Sequence, residues 1–142
     1  MLVIVDADAL IVLSYFKHEK HKRGKMIFDH LIKNQVHCIY PITALCEAVT
    51  VLQKPLQQTK SAQFLIERFK EGVLPTQEIN EEILSEALAI YSKFDIKNRP
   101  GDTLFDAIIA AIAIRRKANA IFSFDTVYQR IGMGLRLAEE FF

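Results

Sequence analysis

A chain of 142 residues has ordinary single-domain length, and its 51% hydrophobic and 25% charged residues supply a full core and argue against disorder. A net charge of +1 excludes a strongly basic nucleic-acid binder, though not a local basic patch. No basic segment precedes an apolar stretch and no apolar run approaches membrane-spanning length, so neither a leader nor a membrane contact is expected; Cys38 and Cys46 form no Cys-x-x-Cys pair and read as reduced and buried, as in the cytoplasm.

Met1 to Val5 is a continuous apolar run, too short for a helix, and reads as a buried central strand that ends in Asp6-Ala7-Asp8. Ala9 to Phe16 continues apolar as a short helix, for which Asp8 reads as the N-cap. Lys17 to Lys25 is a charged cluster. It is either a solvated turn and helix start or a basic rim that meets phosphates, with Lys17, Lys22 and Arg23 as the contacts. Nothing nearby completes a metal site with His18 and His21.

Met26, Ile27, Phe28, Leu31 and Ile32 mark the apolar face of a second helix, and Val36 to Tyr40 a second strand. Pro41-Ile42-Thr43 opens a helix, with Thr43 as its N-cap, that runs from Ala44 to about Gln53 and stops before Pro55. Glu47 lies on its first turns among Leu45, Ala48, Val49 and Val51, either facing solvent or capping its own helix's free N–H groups. Thr59 or Ser61 starts a helix with Phe64, Leu65, Ile66 and Phe69 inward, closed by Gly72. Val73-Leu74-Pro75 reads as a short edge strand. Asn80 caps a helix burying Ile83, Leu84, Ala87, Leu88 and Tyr91, and Phe94 to Pro100 is a polar loop.

Gly101 to Asp125 organises the rest. Asp102 reads as the N-cap of a helix that is apolar on most of its circumference and carries Asp106 one turn in. Arg115, Arg116 and Lys117 close that helix, as its dipole favours, and give a second basic candidate surface. Ala118-Asn119 turns the chain, Ala120 to Phe122 begins a strand, and Asp125 stands just past its carboxyl end. Thr126 to Ile131 gives one or two helical turns, Gly132 and Gly134 break them, Leu135 to Leu137 forms a last short strand, and Phe141-Phe142 docks or frays. Strands alternating with helices imply a mainly parallel sheet covered on both faces, a three-layer α/β/α sandwich spanning 1–142.

Asp6, Glu47, Asp106 and Asp125 each fall near the carboxyl end of a strand or on a helix at that edge, where ligands of open α/β sheets gather. Crowded carboxylates repel, and some stay protonated at neutral pH unless a cation joins them. Mg2+ and Mn2+ prefer such oxygen ligands, and ions held this way promote phosphodiester hydrolysis by water.

The order of these motifs resembles PIN-domain proteins of the VapC-like kind, nearly end to end. The matching stretches are Val3-Ile4-Val5-Asp6, Pro41-Ile42-Thr43-Ala44-Leu45-Cys46-Glu47, Phe105-Asp106-Ala107-Ile108-Ile109-Ala110-Ala111-Ile112-Ala113 and Ile121-Phe122-Ser123-Phe124-Asp125. The resemblance implies a PIN-like α/β/α fold and an Mg2+- or Mn2+-dependent endoribonuclease with Asp6, Glu47, Asp106 and Asp125 as catalytic metal ligands. It also implies the toxin half of a toxin–antitoxin pair, inhibited by a small antitoxin that inserts a basic side chain, and a homodimer. Ser123 falls where the family often has a hydroxyl that orients a ligand or water; its other reading is a backbone contact. Asp8 and Asp102 are supporting acids or helix caps, and RNA meets Lys17, Lys22, Arg23, Arg115 and Arg116. Ala7 departs from the family's usual Thr or Ser.

Two rivals use the same residues. A haloacid-dehalogenase-like phosphatase would take Asp6 as nucleophile, Asp8 as general acid and Gly101-Asp102-Thr103-Leu104-Phe105-Asp106 as its last motif, which should follow an apolar strand. A catalytically degenerate PIN-like binding module would bind metal poorly.

Overall fold

Leu2–Val5 forms the strand β1 of the computed structural model, which describes residues 1–141. Three further strands follow: β2 (His37–Pro41), β3 (Thr76–Gln77) and β4 (Ala120–Phe122). They pair in the order β3-β2-β1-β4, every pair parallel, so β1 is central and Val3, Ile4 and Val5 are buried, as their continuous apolar run requires. The register sets Val3 beside both Cys38 and Ala120, and Val5 beside Phe122. Helices α1 (Ala7–Ser14), α2 (His21–Lys33), α3 (Ile42–Gln53), α4 (Thr59–Lys70), α5 (Glu81–Lys93), α6 (Leu104–Arg115) and α7 (Val127–Ile131) flank the sheet as the expected α/β/α sandwich. Among the described residues no helix is long and apolar enough to cross a membrane.

The apolar sequence of α6 buries every residue from Ala107 to Ala113, between α5 and β1. The turn after it is tied to β1, because Asn119 accepts the Leu2 N–H through Oδ1 and donates its own N–H to the Leu2 carbonyl, both at 2.8 Å. That double link fixes β4 against β1 at the point where both begin.

Several boundaries differ from expectation for local reasons. The residue that caps α1 is Asp6, whose Oδ1 accepts the Ala7 N–H at 2.7 Å, so Asp8 lies inside the first turn instead of capping it. Thr43 likewise lies inside α3, whose N-cap is Pro41. The cap of α6 is Thr103, not Asp102. The edge strand falls at Thr76–Gln77, not at residues 73–75. Pro75 has no N–H to give and contributes only its carbonyl, which accepts the Tyr40 N–H at 2.8 Å. The expected strand at residues 135–137 reduces to a single bridge between Ile121 and Leu137. The loop at residues 94–100 contains a 3-10 turn, Ile96–Asn98, pinned by the buried Ile96.

Helix faces are narrower than their apolar content suggests. The buried stripe of α2 is Gly24, Ile27 and Leu31, leaving Met26 and Ile32 outside. In α5, Ile83, Ala87 and Ile90 turn in while Leu84 and Leu88 stay out. In α4, Ala62 and Leu65 are buried, whereas Phe64 and Phe69 are 57% and 45% exposed, against the expectation that both face inward. Cys46 is also exposed, one position from the buried Leu45; Cys38 is buried, and neither is in a disulfide. Phe141 ends a 3-10 turn at Ala138–Phe141, and Phe142 lies outside the described residues.

Candidate active site

Parallel pairing of β1 with β4 brings two strand ends together. The Asp6 N–H donates to the Phe122 carbonyl at 3.0 Å, so Asp6 and Ser123 emerge side by side at the carboxyl edge. Ser123 Oγ is buried 3.1 Å from Asp6 Oδ2 and 3.1 Å from Asp8 Oδ2; its single proton serves one of them at a time. Its lone pairs accept the Asp125 N–H at 3.1 Å, and Asp125 Oδ1 in turn accepts the Val127 N–H at 2.9 Å. Ser123 is therefore more than a backbone contact: it joins three acids.

Tyr128 completes this network. Its hydroxyl donates to Asp6 Oδ2 at 2.6 Å, from a side chain that is fully buried in α7. No local pattern signals this role, since a tyrosine in a short apolar helix reads as core. Asp8 is the other latch: Oδ2 also accepts the Phe124 N–H at 2.8 Å, while Oδ1 is buried without a partner.

Asp106 comes in from α6, where its Oδ2 accepts the Thr103 N–H at 2.8 Å. Asp102, displaced from the cap, pairs with Arg130 of α7, and Arg130 also donates to Thr126 Oγ1 at 3.1 Å. Asp102, Asp106 and Asp125 each offer a carboxylate oxygen within 4.8 Å of the others. Glu47 reaches the same field from α3: burial raises its pKa, and the charges of Asp6 and Asp125 raise it further.

The electrostatics are those of crowded acids. Burial is the main cause that raises the Asp6 carboxyl, with the Asp125 charge adding to it and bonds from Tyr128, Ala7 and Ser123 opposing. Burial and the Asp6 charge push Asp8 up to about 7. Asp106 also rises to about 7, chiefly by burial, against the Thr103 bond and with help from Asp6, Asp125 and Glu47. Burial and the charges of Asp6 and Asp106 hold the Tyr128 phenol well above its ordinary value, so it remains a donor. Oxygen donors that repel one another in this way suit a hard divalent cation such as Mg2+ or Mn2+, so these residues fit such an ion.

Two of the basic candidates are engaged by other side chains. Arg115 pairs with Glu82 and Glu86, and Arg116 donates to Gln77 Oε1 at 2.7 Å. Both sit at the far end of α6 from Asp106, roughly 14 Å along the helix axis. Lys17 is in the turn between α1 and α2, and Lys22 and Arg23 are on the first turn of α2. Lys20, not singled out from the sequence, holds its ammonium 5.3 Å from the centre of the Phe124 ring. The dehalogenase-like motif lacks its strand, since a 3-10 turn and a bend precede Asp102.

A model of the PIN domain family matches residues 3–133. Among solved structures, the chain is similar to VapC20 of Mycobacterium tuberculosis, a toxin that cleaves the sarcin–ricin loop. That match has 13% identity, covers 92% of this chain and 95% of the other, and has a TM-score of 0.74. A chain of VapBC2 from Rickettsia felis, bound to a DNA fragment from its promoter, matches at 17% identity over 96% and 97% with a TM-score of 0.70. A chain of FitAcB from Neisseria gonorrhoeae matches at 16% identity over 96% and 98% with a TM-score of 0.66. At these identities the likeness is one of fold. No curated protein sequence matches the chain.

Proposed function

Because the chain belongs to the PIN domain family, we propose that it is a divalent-metal-dependent endoribonuclease and the toxin of a toxin–antitoxin pair. The observation that carries this reading is the convergence of Asp6, Glu47, Asp106 and Asp125 at the carboxyl edge of the sheet, where the Asp125 charge helps to raise the pKa values of the other three. Asp6, Asp106 and Asp125, with Glu47, would hold Mg2+ or Mn2+, and Asp102 stands close enough to Asp106 and Asp125 to join those two. When bound, the ion supplies Lewis-acid polarisation of the phosphodiester and a lowered pKa for the attacking water.

The remaining work falls to the chain. Tyr128 and the Ala7 N–H hold Asp6 at both oxygens, so its carboxylate presents a fixed direction to the site. Ser123 sets Asp125 relative to Asp6 through one hydroxyl. Asp106 remains anchored by Thr103 while its protonation changes near neutral pH. Arg130 offsets part of the negative field that would otherwise repel an RNA phosphate.

The partner is, on this reading, a small antitoxin that places a basic side chain among the acids. The similarity of fold to toxin–antitoxin structures supports it. A homodimer is also proposed, supported by the exposed Phe64 and Phe69 of α4. Two cysteines outside any disulfide are in keeping with the cytoplasm.

The test is cleavage of a mixed panel of single-stranded RNAs by the pure protein with Mn2+, with Mg2+ and with chelator, beside an Asp6→Asn control. Metal-dependent cleavage that the variant loses supports the reading. No cleavage with either metal removes it.

A further inference from the structure

A cavity of about 310 Å3 adjoins the acids, bounded by Asp8 and Val12 of α1, His18 and Lys20 of the following turn, Val51 of α3 and Phe124. It is at the lower end of the ~300–1,000 Å3 range of small-ligand pockets. The described function leaves it unused. We propose that this cavity is a nucleobase subsite, in which an unpaired RNA base next to the cleaved bond stacks on Phe124 while Lys20 meets its phosphate. The proposal rests on the ribonuclease reading and extends it to how the substrate is gripped.

The ring is built to be a platform. Its backbone N–H is tied to Asp8 Oδ2 at 2.8 Å, and its edge meets Phe122 at a centroid distance of 6.1 Å and 69° between planes. Behind it, α2 approaches through Gly24, where a Cβ would lie 2.6 Å from Val12 Cγ1 and 3.7 Å from Phe124 Cζ. Phe124 is nevertheless only half-buried. Phe124 is thus fixed beside Asp8 with part of its surface on the cavity.

Charge decides which part of a nucleotide enters. Asp8 is the wall shared with the acids, and it would repel a phosphate but not a neutral base. Lys20 already sits 5.3 Å from the ring centre. A base that takes its place on the ring leaves the ammonium free to pair with the adjoining phosphate. His18, which also lines the cavity, accepts the Lys20 N–H at Nδ1 at 3.0 Å, so Nε2 is the ring nitrogen left as a donor. Stacking tolerates any base; this donor gives the subsite a means of preferring one.

The test uses short single-stranded RNAs carrying 2-aminopurine at successive positions, bound to protein with Asp106→Asn, a change that leaves the cavity walls untouched. Stacking should quench the probe at one position. Adding Phe124→Leu, which keeps an apolar side chain there, should abolish the quench and weaken binding by roughly 5- to 150-fold, the range for one stacked base. Phe124→Trp should keep both. Lys20→Ala should flatten the dependence of log K on log[salt] by about 0.7, the value for one single-strand phosphate. No quench at any position, or a quench undiminished by Phe124→Leu, overturns the subsite. The unmodified protein with Mn2+ separates the two readings. Cleavage without stacking removes the subsite alone, stacking without cleavage removes the nuclease alone, and neither removes both.

Discussion

The Tyr128 hydroxyl donates to Asp6 Oδ2 at 2.6 Å across 122 residues of sequence, with both side chains buried. It is one of the bonds that hold the Asp6 carboxyl down against burial. Tyr128→Phe should therefore raise the Asp6 pKa further and move the acidic limb of the activity profile to higher pH. The lost bond should destabilise the fold by about 1–3 kcal/mol, since the carboxylate stays buried. A pH–rate profile with a denaturant titration checks both; an unmoved profile would remove Tyr128 from the site's electrostatics.

Asp106→Asn should reduce RNA cleavage by at least ~100-fold, as expected for loss of a group that holds the ion. Stability should be retained or increased. An asparagine oxygen can still accept the Thr103 N–H, and the repulsion from Asp6, Asp125 and Glu47 is relieved. Cleavage rates and a thermal melt test this together. Cleavage near the original rate would place Asp106 outside the chemistry.

Stability of the metal-free protein should fall as pH rises through neutrality. Asp8 and Asp106 have carboxyls of ordinary value 3.8 that titrate at about 7 in the fold. Between those values the native chain holds protons that the unfolded chain has released, so their contribution is complete below 3.8 and is lost as pH passes about 7. Melting temperatures in chelator across pH 5.5 to 8, roughly bracketing that upper value, should decline. Added Mn2+ should raise them more at the alkaline end, because it binds the ionised carboxylates. A melting temperature that climbs with pH in chelator would contradict the crowded-acid picture.

Arg130→Gln should tighten Mn2+ binding several-fold, about 0.5–1.5 kcal/mol, since the cation paired with Asp102 competes with the ion for the same field. Titration calorimetry measures this directly. Weaker binding would show instead that Arg130 serves mainly to position Asp102.

The sequence was most legible where one residue type had one physical option. The uninterrupted apolar runs of β1 and α6 are buried, and the acids that end the strands at Asp6 and Asp125 meet because β1 and β4 are parallel neighbours. Asp106 follows from its place on the first turn of a buried helix. Caps were less legible, because Asp6 and Asp8 are both good caps and only the backbone at Asp6 chooses between them. Tyr128 and Lys20 were out of reach for a different reason. Their partners, Asp6 and Phe124, lie more than a hundred residues away, and neither leaves a local pattern. The exposed Phe64 and Phe69 show the limit of apolar content as a guide, since α4 buries only a narrow stripe.

The cap at Asp6 has a bearing on how this chain could change over generations. Position 6 answers to two demands at once, starting α1 through Oδ1 and shaping the acidic centre through Oδ2. A descendant released from its chemistry would still need its first helix to begin there. Drift at position 6 should then settle on Asn, Ser or Thr, the other good caps, in preference to Ala, whose loss of the cap costs about 1 kcal/mol. An asparagine at this position in an inactive descendant would be a trace of folding, outliving the reaction that once shared the residue.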